Sequence, residues 1–302
     1  MDQSADRRIK AVLRVATQRL ATCLREAPAG SGETPYLDAL VLLAHATGLT
    51  TEQLFAALED PLDDAAISRF QELVAQRCDS IPVSYIRGVK EFYGREFTVG
   101  PDVLVPRPET ELLVEHALLL IDGWPESDLH VHDCCTGSGC VGVTIACERP
   151  GLMLTASDIS PEALAYARIN AERLGQHLEF WQGDVLEPLV AAIDGRSVPR
   201  PGIITVNPPY LSDNEVTSLT VRGWPEPGLA LAAGQEGLDV IRRLARQAVT
   251  CLADGGYLIV EIGADQGAAV RAILTDADFE SVTTERDLAG RDRVCKGRWS
   301  TR

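Results

Sequence analysis

A chain of 302 residues has room for about two compact domains with their own cores, and is too long for a peptide or a single motif. It is 45% hydrophobic and 24% charged, an ordinary globular balance that excludes a disordered chain. Its 44 acidic against 28 basic side chains give a formal net charge of -16, a field that repels polyanions and disfavours nucleic acid as the main partner.

The opening MDQSADRRIK lacks the apolar core of a secretory signal, and no apolar run approaches the roughly 20 residues that cross a bilayer. A soluble, cytoplasmic protein with no membrane partner is expected. From about residue 3 to 79, apolar side chains recur at three- and four-residue intervals in DRRIKAVLRVATQRLATCL, TPYLDALVLLAHATGL, TEQLFAAL and AAISRFQELVAQRC. This predicts a small N-terminal helical domain over residues 1–79. The break APAGSGETP has loop composition, and Thr34 or Ser31 is placed to cap the helix after it. The domain reads either as a stability appendage or as a docking module for a substrate protein, with docking favoured.

Between Ile81 and Arg107 the pattern changes to short alternating pieces with Gly88, Gly94 and Gly100 at the turns, which predicts a β-hairpin linker over residues 80–108. ETELLVEHALLLI is helical. Beyond it, the apolar strand candidates DLHVHDCC, LMLTASDI, LEFWQGD, GIITVNPP and YLIVEIG follow one another. Helices are expected after Gly139, from Pro161 to Leu174, from Leu238 to Leu252 and from Gln266 to Leu274. Apolar strands separated by crossover helices predict an α/β domain over residues 109–302 with a doubly wound, mostly parallel sheet. The final pair, FESVTTERD and RVCKGRWS, is joined by a short Gly-containing turn and should pair antiparallel at an edge, bringing the sheet to seven strands.

Four of the eight cysteines, Cys134, Cys135, Cys140 and Cys147, crowd together without a C-x-x-C pair, so zinc spacing is absent. His130 and His132 share a strand face beside them, which makes a metal site thinkable. Buried small residues of a central strand explain the same pattern, and no metal is expected. Reduced thiols agree with a cytosolic address.

Three strand ends carry chemistry. After the first sheet strand, Gly137 and Gly139 allow a sharp turn with close backbone approach to a ligand, and the following helix start presents free N–H groups, so Cys135, Thr136, Gly137, Ser138 and Gly139 suit a nucleotide-like cofactor. Asp158 ends the next strand, where an acid hydrogen-bonds ribose hydroxyls; a capping role for the helix beginning at Pro161 competes, but Ser160 fills that role better. Asp184, after the third strand, either falls beside the adenine of such a cofactor or only terminates the strand; Val185 follows it. The fourth strand ends in Asn207, Pro208, Pro209 and Tyr210. Consecutive prolines supply no ladder N–H groups, so the strand stops in a stiff extended turn. In a doubly wound sheet this strand neighbours the first across the switch point, so Asn207 faces the reactive end of the cofactor. The Asn207 side-chain carbonyl and the Pro208 backbone carbonyl can then both accept hydrogen bonds from one planar NH2 group.

This constellation resembles the class I S-adenosylmethionine-dependent methyltransferases, which have a Rossmann-like sheet, and within them the branch with an Asn-Pro-Pro-Tyr loop. More closely, the chain is similar to the peptide chain release factor glutamine methyltransferases, the PrmC or HemK family. The similarity runs through TPYLDALVLLAHATGL, PVSYIRGVKEFYGREFTVGPDVLVPRPETELLVE, DCCTGSGCVG, ASDISPEALAYARINA, VNPPY, EPGLALAAGQEGLDVIRRL and GYLIVEIGADQG. It implies methylation of the glutamine side-chain amide in the Gly-Gly-Gln motif of release factors. It also implies a cofactor loop at Cys135 to Gly139, a ribose acid at Asp158, and a catalytic and substrate-binding clamp at Asn207, Pro208, Pro209 and Tyr210. The PRPETE stretch, with Arg107 and Glu109, matches a segment that the family places beside the active site, and both are expected to bind substrate. Two positions depart from the family pattern: Cys135 stands where its loop usually has a first glycine, and Val185 where an aromatic residue often covers the adenine.

The competing functions are a glutamine methyltransferase acting on a large-subunit ribosomal protein, a DNA adenine methyltransferase and a noncatalytic cofactor-binding regulator. The PRPETE string and the EIGADQG ending favour the release-factor reading over the ribosomal one. The acidic charge and 5% aromatic content speak against DNA, which needs a basic channel and stacking rings. The intact clamp beside Asp158 speaks against the regulator.

Overall fold

The computed structural model describes residues 6–24, 34–125, 128–221 and 223–301. They fall into two compact units, one running up to residue 89 and including 218–225, the other comprising 90–217 and 226–302.

The first unit contains α1 (Ile9–Cys23), α2 (Pro35–Thr47), α3 (Thr51–Ala56), α4 (Asp64–Cys78) and α5 (Val83–Arg87). The expected periodicity is visible in its core, where Leu13, Leu20, Leu42, Leu43, Phe70 and Val74 are all buried. Two helix starts are capped by side chains. Thr50 and Gln53 form a reciprocal capping box, and Asp63 accepts from the Ala66 N–H at 2.6 Å. Thr34 occupies the N-cap position of α2, ahead of Pro35, but its side chain makes no capping hydrogen bond to the helix; Ser31 lies outside the described residues. Helix α5 falls within the segment expected to form only hairpin pieces. It is a short helix that starts after Pro82 and ends at Gly88, whose φ of 71° gives the left-handed closure that glycine tolerates. Cys23 and Cys78 are joined as a disulfide, a pairing their spacing does not announce. The four clustered cysteines are free thiols.

In the second unit, β1 (Val89–Phe92) and β2 (Arg95–Thr98) form a two-stranded sheet. After a 3-10 turn at Pro108–Thr110 come α6 (Glu111–Asp122), β3 (His130–Cys134), α7 (Cys140–Glu148), β4 (Met153–Asp158), α8 (Pro161–Arg173), β5 (Glu179–Gln182), α9 (Glu187–Asp194) and β6 (Ile203–Val206). The chain continues through α10 (Asp213–Val221), α11 (Asp239–Cys251), β7 (Tyr257–Glu261), α12 (Gly267–Asp276), β8 (Glu280–Arg286) and β9 (Asp292–Arg298). Helices α9 and α10 are not among those the periodicity predicts, because eight and nine residues offer little more than two turns of pattern.

The seven strands order as β5-β4-β3-β6-β7-β9-β8. The first five are parallel, and β9 pairs antiparallel with both β7 and β8. This is the expected mostly parallel, doubly wound sheet, with the antiparallel pair at one edge. Alternation along the strands divides the core. Ile204, Val206, Leu258 and Val260 face a cluster containing Ile241, Leu244 and Ala248 of α11, whereas Val131, Ile203 and Ile259 face one containing Leu113 and Val114 of α6 and Ile145 of α7. The chain order reverses between β3 and β6, the position where doubly wound sheets open a crevice beyond their strand ends. Cys134 pairs with Val206, and Val206 with Val260. The next residues, Cys135 and Asn207, therefore leave the sheet side by side, next to Glu261 at the last position of β7.

Among the described residues no helix is long and apolar enough to cross a membrane, and no group of three or more histidine, cysteine or acidic side chains is arranged to hold a metal ion. The histidines of β3 are instead tied into the sheet. His130 Nε2 and His132 Nδ1 both meet Thr155 Oγ1, at 2.7 and 2.8 Å, and His132 Nε2 meets Ser157 Oγ at 3.0 Å. Burial holds His132 neutral, lowering its pKa to about 3.

Candidate active site

A cavity of about 370 Å³ opens at the carboxyl ends of β3, β4 and β6. Residues 135–138, Asp158, Asp184, Val185, Asn207, Pro209 and Arg107 all line it. Gly139, Pro208, Tyr210 and Glu109 are not part of that lining.

The loop after β3 takes its shape from left-handed backbone at Cys135, Gly137 and Gly139, with φ of 56°, 55° and 80°. Gly139 begins α7, and a Cβ there would come within 3.1 Å of the Ala167 backbone, so packing as well as conformation requires glycine. Cys135 adopts the same conformation with a Cβ present, at a cost of roughly 1–2 kcal/mol. Asp133 anchors the loop from below. Its Oδ2 accepts from Thr136 Oγ1 at 2.5 Å and from the Gly142 N–H at 3.1 Å, while Oδ1 accepts from Thr205 Oγ1 at 2.8 Å. Desolvation raises this carboxyl to a pKa of about 6, against the pull of those donors. Ser138 contributes through its backbone, where its carbonyl accepts from Asn170 Nδ2 at 2.9 Å.

Asp158 ties the loop to β4, since its Oδ2 accepts from the Gly137 N–H at 2.8 Å and its Oδ1 from the Ser160 N–H at 3.0 Å. Burial raises its pKa. The helix cap belongs to Ser160, whose Oγ accepts from the Ala163 N–H at 3.0 Å, so Asp158 remains directed to the cavity and its loop. Asp184 forms an ion pair with Arg243 of α11, and both line the cavity. Val185 is buried with φ of 50°, unusual for a β-branched residue, and its carbonyl accepts from Ser157 Oγ at 3.2 Å.

Asn207 follows β6 at the crevice. Its Nδ2 donates to Thr110 Oγ1 at 3.2 Å, whereas Oδ1 is buried without a partner. An acceptor left open in this way loses about 1–3 kcal/mol unless a ligand completes it. The rest of the turn is held from behind, with Gln266 Nε2 donating to the Tyr210 carbonyl at 2.9 Å and Gln266 Oε1 accepting from the Gly263 N–H at 2.9 Å. Burial, then the nearby Glu261 charge, pushes the Tyr210 phenol up to about 12, so it stays protonated. Arg107 is ion-paired with Glu226, which also accepts from the Val105 N–H at 3.0 Å. Glu109 faces Arg291 at 3.6 Å.

Thr110, Asp133, Glu226, Glu261 and Gln266 support these positions and were not identified as site residues from the sequence. Thr110 and Glu226 find their partners about a hundred residues away, and Asp133 and Gln266 each add a distant partner, Thr205 and Tyr210, to near ones, so local periodicity does not show what they hold. Thr110 falls in PRPETE, Asp133 in DCCTGSGCVG, and Glu261 and Gln266 in GYLIVEIGADQG, strings that the sequence marks without giving these residues a role.

A glycine loop, an acid at the second strand end and the Asn207 amide converge on one cavity at the switch point. Comparisons with known proteins agree with this architecture. The model of the PrmC N-terminal domain matches residues 12–88, and that of the methyltransferase small domain matches residues 110–223. The fold also resembles the hMettl16 catalytic domain in complex with MAT2A 3'UTR hairpin 6, with a TM-score of 0.52 at 16% identity over 80% of this chain and 93% of that one. The release factor glutamine methyltransferase of Vibrio cholerae is 37% identical, with 97% of both chains aligned. That of Neisseria gonorrhoeae is 43% identical over 272 residues, 89% of this chain and 96% of its own length. With such identity sustained across nearly the whole of these relatives, the chain belongs to the release factor glutamine methyltransferase family.

Proposed function

We propose that the protein transfers a methyl group from S-adenosylmethionine to the side-chain amide nitrogen of the glutamine in the Gly-Gly-Gln motif of peptide chain release factors. The observation that carries this reading is the Asn207 side chain: its nitrogen is already engaged by Thr110, and its buried oxygen is an acceptor without a donor. A primary amide supplies that donor.

The residues at the cavity fit the cofactor. Two positive-φ glycines let the backbone approach it closely, Asp158 offers a carboxylate at the second strand end, and Asp184 and Val185 stand at the third. When bound, S-adenosylmethionine supplies an electrophilic methyl group on its sulfonium. Cys135, Thr136, Gly137, Ser138 and Gly139 cradle its amino-acid end, Asp158 takes the ribose hydroxyls, and Asp184 and Val185 flank the adenine.

The task of this chain's residues is orientation, because an amide nitrogen is a weak nucleophile whose lone pair is delocalised into its carbonyl. Asn207 Oδ1 and the Pro208 carbonyl each accept one N–H of the glutamine amide and turn the face of its nitrogen toward the methyl group. Pro209 stiffens the turn and Tyr210 packs against the amide. Well-oriented reactants gain up to about 7–11 kcal/mol of barrier reduction. No strong base is needed before transfer, since the nitrogen becomes acidic as it is alkylated. Arg107 and Glu109 lie on the PRPETE side of the substrate path, and residues 1–79 dock the release factor, with 80–108 as linker and 109–302 as the methyltransferase domain. A translation factor as substrate places the reaction in the cytoplasm, and the net charge of -16 fits a protein substrate better than nucleic acid or an anionic membrane.

The test is incubation of the full chain with purified release factor and S-adenosylmethionine, followed by mass spectrometry of the Gly-Gly-Gln peptide. One added methyl on the glutamine is expected. An unmodified peptide, with cofactor binding demonstrated, would overturn the reading and direct the assay to the ribosomal-protein glutamine.

A further inference from the structure

We infer that Arg243 of α11 is a cofactor-binding residue: tethered by Asp184, its planar guanidinium covers the adenine ring of S-adenosylmethionine in a cavity whose described lining has no aromatic side chain. The inference deepens the proposed function and rests on its placing of the adenine beside Asp184 and Val185.

Adenine is a flat ring, and the side chains that pack face to face with flat rings are aromatic groups and the arginine guanidinium. Among the described residues that line the cavity, none is phenylalanine, tyrosine, tryptophan or histidine. Where β4 and β5 end, the lining includes Ile159, Asp184 and Val185, with Val240 and Arg243 coming from α11. Val185 and Val240 are buried in the core cluster. Ile159 is exposed but offers no flat face. Arg243 is planar, and 44% of its side chain is exposed. Arg107, the other guanidinium of the lining, is committed to Glu226.

The loop after β5 is docked on one face of α11 at two points that bracket Val185. Asp184 pairs with Arg243, and the Leu186 N–H donates to Oε1 of Gln247, four residues further along the helix, at 2.9 Å. The same loop is tied to β4. The Gly183 N–H donates to the Asp158 carbonyl at 3.0 Å, and Ser157 Oγ donates to the Val185 carbonyl at 3.2 Å. An ion pair as exposed as that between Asp184 and Arg243 contributes little to stability. Its effect is on position: it holds the guanidinium at the cavity wall before the cofactor arrives, so less side-chain freedom is lost on binding.

The test is titration calorimetry of the full chain with S-adenosylhomocysteine and with methylthioadenosine, which keeps adenine and ribose but lacks the amino-acid end. Arg243→Ala is expected to raise Kd for both ligands about tenfold, equivalent to about 1.4 kcal/mol. Arg243→Lys keeps the charge and the stem without the plane, and should remain at least about fivefold weaker than the parent. Arg243→Phe restores a flat face without the charge, and should come within about threefold of the parent. Unchanged Kd in Arg243→Ala would overturn the inference. So would full recovery by lysine with phenylalanine as weak as alanine, the pattern of a charge effect alone. A loss seen with S-adenosylhomocysteine and absent with methylthioadenosine would place Arg243 at the amino-acid end and also overturn it. If the parent bound neither ligand, the cofactor reading would fall and the inference with it; binding by the parent with an unchanged Arg243→Ala would remove the inference alone.

Discussion

Asn207 and Thr110 meet through a single hydrogen bond, from Asn207 Nδ2 to Thr110 Oγ1 at 3.2 Å, and that bond leaves Asn207 Oδ1 as a buried acceptor beside the cofactor cavity. Protein interiors seldom leave such an atom without a partner. Its place at the carboxyl end of β6, beside the switch between β3 and β6, is where a ligand would be met.

Asp158 should be intolerant of its amide. Both of its carboxylate oxygens accept backbone N–H groups, from Gly137 and Ser160. In Asp158→Asn, either orientation sets an NH2 group against one of those donors and withdraws the charge offered to the ribose. Affinity for S-adenosylmethionine is expected to fall at least about tenfold by titration calorimetry. An unchanged Kd would show that the carboxylate has no role in the cofactor site.

Cys135 carries conformational strain that glycine would relieve. At φ of 56° its Cβ costs roughly 1–2 kcal/mol, against about 0.5–1 kcal/mol of extra chain entropy that glycine loses on folding. Cys135→Gly should therefore raise the unfolding free energy by about 0.5 kcal/mol in denaturant titration. A loss of about 1 kcal/mol or more would mean that the sulfur contributes packing exceeding the strain.

The outline of the fold was legible because strands of a parallel sheet are short apolar runs separated by amphipathic helices. LTASDIS and VNPPY mark strand ends by the residues that cannot continue them. The break in helix periodicity at Pro82 and Gly88 hides α5, and the brevity of α9 and α10 hides both. For the site, sequence shows what stands at each strand end but not which ends converge or what supports them. Thr110 looks like any residue of a proline-flanked turn until β6 places Asn207 against it. Gln266 likewise holds the Tyr210 carbonyl from 56 residues away in the chain. Val185 shows the opposite limit: its β-branched side chain predicts extended backbone, and the chain turn there imposes φ of 50°.

Stability should respond to pH through buried groups that act in opposite directions. Burial raises Glu261 from 4.5 to about 7, so the folded state holds a proton that the unfolded chain releases earlier. The contribution of this group is complete below pH 4.5 and is lost as pH rises through about 7. Asp133, raised to about 6, acts the same way. His132, lowered to about 3, does the reverse and costs stability as pH falls below 6.5. Glu261→Gln removes one rising-pH loss, so in cofactor-free protein its stability relative to the parent should grow between pH 4.5 and 7, by up to about 3 kcal/mol. Denaturant titrations across that range check it, and a difference that does not vary with pH would contradict the burial of a neutral carboxyl.

The central claim, that the Asn207 carbonyl orients the glutamine amide for methyl transfer, is tested most directly by Asn207→Ala. The assay measures single-turnover methylation of a purified release factor alongside binding of S-adenosylmethionine. The account predicts a fall in rate of at least about 100-fold, comparable to losing a preorganised hydrogen-bonding group at a reacting centre, with cofactor Kd within about threefold. Methylation at close to the parent rate by Asn207→Ala would contradict it.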